Sequence, residues 1–410
     1  MTRPFLLHRQ SHQTSVLLAG SGAALALLSA THVVDDLYQG AVPALLPFLA
    51  LDRHYSYAGL TGITLAATFL SSAIQPAFGM LTDRHRVGWL VPAGLLVAGL
   101  GVGLSGLGGS YLVTWLAIAL SGVGVAAYHP EAVRTARGIA GDSTQAMSWF
   151  SVGGNAGIAL GPLLVTPVLL ATGLRGTPLL ALPAVLMAAL LAIRRPWRRT
   201  GAARHDAGPE RTAGGQAAAP RLDDWRSFAR LTTVVTARSI AYFGVASLLA
   251  LFVIRRFHEP TAVGSAALTA FVAAGAVGSL TGGWLADHWQ RVATVRLGYA
   301  CAIPALILLA VAPDAGLAFG AAVASGLTLF MPFAVQVTLG QDYLPNRIGT
   351  ASGVTLGLAI SIGGLAAPLF GFLADSYGLR LTLAALACFP AISLALAFRL
   401  REPRPPARPA

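Results

Sequence analysis

"FGMLTDR" at residues 78–84 returns 204 residues later as "GGWLADH" at 282–288, pairing Gly79 with Gly283, Leu81 with Leu285 and Asp83 with Asp287. A second pair, "GIALGP" at 157–162 and "GGLAAP" at 363–368, repeats at an offset of 206. Two matches at nearly one offset read as an internal duplication with both copies running in the same direction. Between the copies, residues 195–225 are rich in arginine, glycine, proline and alanine and read as a linker. The chain therefore divides into a tail (1–15), a first half (16–194), the linker (195–225), a second half (226–399) and a second tail (400–410).

Composition says what the halves are made of. The 410 residues are 55% hydrophobic and only 11% charged, with a mean hydropathy of +0.68, whereas soluble domains carry about 25% charged residues. Apolar runs fall at 16–50, 57–82, 88–109, 111–133, 145–173, 178–193, 231–254, 262–286, 292–312, 315–341, 348–374 and 379–398. Each reaches or approaches the roughly 20 residues that a helix needs to cross a hydrocarbon core of about 30 Å. The alternating ten-residue segments of a membrane β-barrel are absent, which leaves helices as the way to satisfy backbone groups in lipid. The expected fold is all-α and integral to the membrane, with twelve transmembrane helices in two pseudo-symmetric six-helix bundles. A duplicated architecture of this kind fits a secondary transporter with its site between the halves.

All 28 basic residues are arginine. With the amino terminus inside, 22 of them fall in cytoplasmic segments and five (Arg53, Arg175, Arg255, Arg256 and Arg380) fall outside, while Arg238 lies within a span. That asymmetry orients the chain, with both termini cytoplasmic. The net charge of +12 then reads as topology and contact with anionic lipid, and nucleic acid is not expected as a partner. Cys301 and Cys388 fall in separate helices, so neither a disulfide nor a metal site is expected from them. No phosphate-binding loop accompanies the spans, and no cofactor is expected.

The pattern Gly79, Asp83, Arg84, Arg86 between the second and third spans resembles the loop signature of the major facilitator superfamily. "HVVDDLYQGAVPALLP" (32–47), "YHPEAVRTARG" (128–138), "SWFSVGGNAGIALGPLL" (148–164) and "QDYLPNRIGTASGVTLGLAISIGGLAAPLFGFLAD" (341–375) together resemble the fosmidomycin-resistance family within it. The resemblance covers nearly the whole chain apart from the linker and tails. It implies the major facilitator fold and a bacterial inner-membrane pump that exchanges protons for fosmidomycin or another small molecule. "GNAGIALGP" is similar to the antiporter motif of the fifth helix, with Val165 and Thr166 where its closing glycine pair would stand.

The candidate residues follow from cost and position. Asp35 and Asp36 lie midway along the first run, where an unpaired charge costs at least a few kcal/mol. Helical spacing turns one of the two toward the cavity; Asp35 is the first choice, paired with His32 three residues away. His129 and Glu131 flank Pro130 near the cytoplasmic end of the fourth span, able to titrate or to hold Arg134 and Arg137. Two readings stay open for Arg238: counter-ion to Asp35, or direct ligand of an anionic substrate. Trp149, Phe150, Asn155, Tyr242, Phe243, Gln336 and Gln341 are expected to line the cavity. Gly79, Asp83, Arg84, Arg86, Gly283 and Asp287 form a conformational latch, with His288 weakening the second copy. Gly153, Gly154, Gly157, Gly161, Pro162, Gly363 and Gly364 permit close helix packing. The expected partners are a small-molecule substrate, protons and the lipid bilayer, and a monomer is expected. A proton symporter or facilitator importing an organic anion or sugar is the runner-up. An intramembrane enzyme would need a nucleophile or metal cluster, and a sensor would need a soluble domain.

Overall fold

The structure, a computed structural model, describes residues 5–85, 87–140, 144–194, 222–347, 350–351 and 353–403. Most of the linker, residues 195–221, and the end of the second tail, 404–410, lie outside the described residues. The first half holds α1 (Phe5–Asp52), α2 (Tyr57–Arg84), α3 (Leu90–Leu104), α4 (Tyr111–Ala140), α5 (Thr144–Thr172) and α6 (Leu174–Arg194). The second holds α7 (Trp225–Phe257), α8 (Thr261–His288), α9 (Arg291–Val311), α10 (Ala315–Tyr343), α11 (Gly353–Tyr377) and α12 (Leu379–Ala397). Ten of these are long and apolar enough to cross a membrane; α3 is apolar but shorter, and α1 carries the two mid-helix aspartates. No strand occurs among the described residues.

The duplication is written into the backbone as well. His54 and His258, 204 residues apart, are the two non-glycine residues with positive φ among the described residues, and they close α1 and α7. Gly173 and Gly378, 205 apart, hold φ of 62° and 85° at the α5–α6 and α11–α12 junctions, where glycine meets no Cβ penalty. The prolines differ between copies: α4 runs unbroken through Pro130, whereas α10 is interrupted by a turn at Met331–Pro332.

The halves meet along α2 with α11 and α5 with α8. At one end of the α2–α11 seam, Asp375 accepts hydrogen bonds from the Tyr57 and Ala58 amides at 2.8 and 2.9 Å. A Cβ on Gly371 would overlap Thr61 and the Tyr57 carbonyl, and one on Gly364 would overlap Thr68. Toward the arginine-rich end the contact is lost, and a Cβ on Gly79, Gly353 or Gly357 would meet nothing within 4 Å. Among the described residues this seam is therefore closed at the Asp375 end and parted at the other.

The expected latch sits in the parted region. Gly79 and Gly283 touch no neighbouring helix, Arg84 is exposed, and Asp287 is exposed with no ion pair among the described residues. Arg86 and the Asp83 side chain lie outside the described residues. At the closed end, a carboxylate on a helix amino terminus contributes about 1 kcal/mol. Asp375→Asn is expected to raise the population opened at this end about fivefold. Spin labels at Leu112→Cys and Leu381→Cys in a Cys301→Ser/Cys388→Ser background would read it as a longer inter-label distance.

Candidate functional site

His32, Asp35, Asp36 and Gln39 follow the i, i+3, i+4, i+7 spacing that lines one face of α1. That face is held against α5 by small residues. A Cβ on Gly154 would overlap the Asp36 carboxylate and stand 2.8 Å from the His32 ring, and one on Gly157 would overlap the Val33 carbonyl. Gly153 and Gly161 are equally tight against Ser29 and Gly40, and Gly363 lies against Ser239 and Phe243 across the other half. Pro162 is buried inside α5.

Four titratable groups meet there. His32 Nε2 lies 3.3 Å from Asp36 Oδ2, His129 Nε2 lies 3.4 Å from Asp36 Oδ1, and His129 Nδ1 lies 3.4 Å from Asp35 Oδ2. Asp35 is fully buried, and neither of its oxygens has a hydrogen-bond partner. Gln39 donates to Asp36 Oδ1, and Phe150 stacks on the His32 ring with centroids 4.3 Å apart.

The sequence expectation needs correcting here in three ways. His32 pairs with Asp36, one full turn on, rather than with Asp35. Both aspartates, 100° apart on the helix, are engaged because the two nitrogens of one imidazole span that gap. His129 stands apart from Glu131 and with the aspartates, while Glu131 takes one of its two expected roles, holding Arg134 in a bidentate pair at 2.6–2.9 Å.

Hydrogen-bond roles are fixed by the backbone. His32 Nδ1 is 2.8 Å from the Phe150 carbonyl and His129 Nδ1 is 3.0 Å from the Val125 carbonyl. A carbonyl only accepts, so both Nδ1 atoms carry hydrogen. Each Nε2 to Asp36 contact then needs one further proton, on the ring or on the carboxyl. With none, two lone pairs would face a buried carboxylate, so the arrangement is one that holds exchangeable protons. His32, Asp36 and His129 offer ligand atoms within 4.8 Å of one another, a spacing that could also hold a metal ion, which the sequence reading did not expect. Cys301 and Cys388 are free and exposed.

Beside the cluster, a cavity opens between the halves. Gln39, Ser121 and Asn155 line one wall, and Arg238, Tyr242, Phe243, Phe330 and Phe333 the other. Asn155, Tyr242, Phe243 and Arg238 thus stand where expected. Phe150 lies behind His32. Trp149 is 63% exposed, as suits an amphipathic ring at a membrane interface, and does not line the cavity. Gln336 also turns away, donating to the Tyr299 hydroxyl at 2.6 Å to satisfy a buried pair between α9 and α10. Gln341, five residues on, lies outside the lining as well. Gln39, Phe330 and Phe333 were missed: Gln39 completes the α1 stripe, and the two rings stand on either side of Met331 and Pro332 in α10. Asp35 has His129 beside it, and among the described residues no ion pair joins it to Arg238.

The profile of the Major Facilitator Superfamily matches residues 27–368. The chain is 28% identical over 391 residues to a Bacillus subtilis protein named an uncharacterized MFS-type transporter, covering 92% of each chain. It is 28% identical over 377 residues to the fosmidomycin resistance protein of Escherichia coli, covering 91% of this chain and 92% of that one. Among solved structures, it superposes on an inward-facing, occupied bacterial homolog of the human lysosomal transporter Spinster with a TM-score of 0.77 at 17% identity, covering 92% and 96%. It superposes on a nucleoside transporter with a TM-score of 0.70 at 12% identity, covering 92% and 98%. With twelve helices in two duplicated bundles around a central cavity, the chain belongs to the Major Facilitator Superfamily and is a multi-pass membrane transporter.

Proposed function

We propose that the protein is a proton-driven antiporter that expels a small molecule across a bacterial inner membrane by alternating access, as a monomer with both termini in the cytoplasm. The observation that carries the reading is the meeting of four titratable groups, His32, Asp36, His129 and Asp35, beside the cavity, where a solute could compete with them for protons. The arginine bias supports a cytoplasmic position for the parted end, and on this reading the conformer is open to the inside and ready to take up an outbound solute. Fosmidomycin is the compound to try first, because one relative is named for resistance to it.

In everted vesicles acidified inside, a pH-sensitive dye should report drug-triggered alkalinisation in the presence of the protein. A drug-dependent signal of opposite sign would favour symport. No signal with verified, folded protein would send the search to other solutes.

A further inference from the structure

Arg238 is 3% exposed on α7. Its contacts are a long hydrogen bond from Nη2 to Ser239 Oγ at 3.4 Å and the faces of Phe330 and Phe333, whose centroids lie 5.2 and 5.1 Å from Cζ. Nε has no hydrogen-bond partner, and among the described residues no carboxylate pairs with the guanidinium. Both nearby acids are taken by the histidines on the opposite side of the cavity. A buried cation left without a counter-ion is costly, and aromatic faces recover only part of that cost.

The surroundings describe what is missing. The guanidinium lines the cavity and presents a rigid fork of donors suited to two-point capture of an oxyanion. Tyr242, Phe243, Phe330 and Phe333 surround it with flat apolar surface, extended by Leu268 and Val272. The facing wall offers neutral hydrogen-bonding groups in Gln39, Ser121 and Asn155.

We propose that this pocket binds a small amphipathic organic acid, its carboxylate held by Arg238 and its flat apolar body packed on the four rings. The solute thereby supplies the counter-ion that the protein lacks. The proposal rests on the reading of the protein as a small-molecule carrier and names its solute class, but not on proton coupling. Its test is therefore equilibrium binding, which a failure of antiport would leave untouched.

Purified protein in nanodiscs would be titrated by calorimetry with three probes of one size: benzoate, benzyl alcohol and benzylamine. Benzoate is expected to bind about ten- to a hundredfold tighter than either of the others. Arg238→Gln should bring benzoate down to the level of benzyl alcohol, with monodisperse elution retained. Arg238→Lys, which keeps charge but loses the fork, should retain only part of it, and Phe333→Leu should weaken benzoate and benzyl alcohol alike. Equal binding of benzoate and benzyl alcohol by the wild type would overturn the proposal whether or not the variants fold. So would an undiminished preference in Arg238→Gln.

Discussion

Asp36→Asn is expected to abolish drug-driven proton movement in everted vesicles, reducing the dye response by on the order of 100-fold, the usual worth of a positioned proton donor or acceptor. The reasoning is one of proton accounting. Both histidines spend Nδ1–H on main-chain carbonyls, and both aim Nε2 at the Asp36 carboxyl. An amide there binds no exchangeable proton, and its two faces, one donor and one acceptor, can serve one neutral imidazole and one protonated one without further change. The cluster would then be satisfied in a single charge state and would stop cycling. Exchange of labelled drug for unlabelled drug, which needs no net proton movement, should survive, and that separates lost coupling from lost folding. Asp35→Asn should reduce the proton signal less, because Asp35 faces a single imidazole nitrogen that is already hydrogen-bonded to Val125. Equal loss in the two variants would refute the assignment of Asp36 as the shared centre.

The order of importance between Asp35 and Asp36 shows where sequence reading stops. Hydropathy and the 204-residue repeat carried the architecture, because the length of an apolar run and the offset of a duplication are properties of the chain alone. The stripe at 32, 35, 36 and 39 was also present in the sequence, and its four-residue step from His32 to Asp36 is as good a helical neighbour as the three-residue step to Asp35. What the sequence did not contain was the rotation of α4 about its axis, which points His129 at the aspartates, whereas the Glu131–Arg134 pair, three residues apart on one helix, was legible in it. The same limit separates the cavity residues. Tyr242 and Phe243 turn inward on α7, but Gln336 and Trp149 face other partners, and which side of a span is the inner one depends on packing against helices distant in sequence. The contact of Asp375 with α2 was hidden for a related reason, since a carboxylate at a helix end has no visible partner until another helix terminus is brought beside it.

The face of α1 that carries His32, Asp35 and Asp36 is set against α5 by close glycine contacts, and Gly157→Val tests how far the site depends on them. A branched side chain there would drive Cβ into the Val33 carbonyl and within 3.0 Å of the Leu37 amide nitrogen. The obstructing atoms are backbone, so no rotamer change relieves the overlap and the helices must separate. Overpacking of this kind costs about 1–3 kcal/mol, and the β-branched side chain adds some helix penalty of its own. The seam carries function as well as stability, because the Phe150 carbonyl that orients His32 belongs to α5 while His32 belongs to α1. Separating the two helices therefore lengthens that bond and frees the tautomer on which the proton accounting depends. Gly157→Val is expected to lower the Tm in detergent and to remove the drug-driven dye response together, with Gly157→Ala intermediate in both. Gly320→Val is the control, since a Cβ at that exposed position meets nothing within 4 Å. If Gly157→Val and Gly320→Val lowered Tm equally, the loss would be one of helix propensity, and α1–α5 proximity would not be what holds the site together.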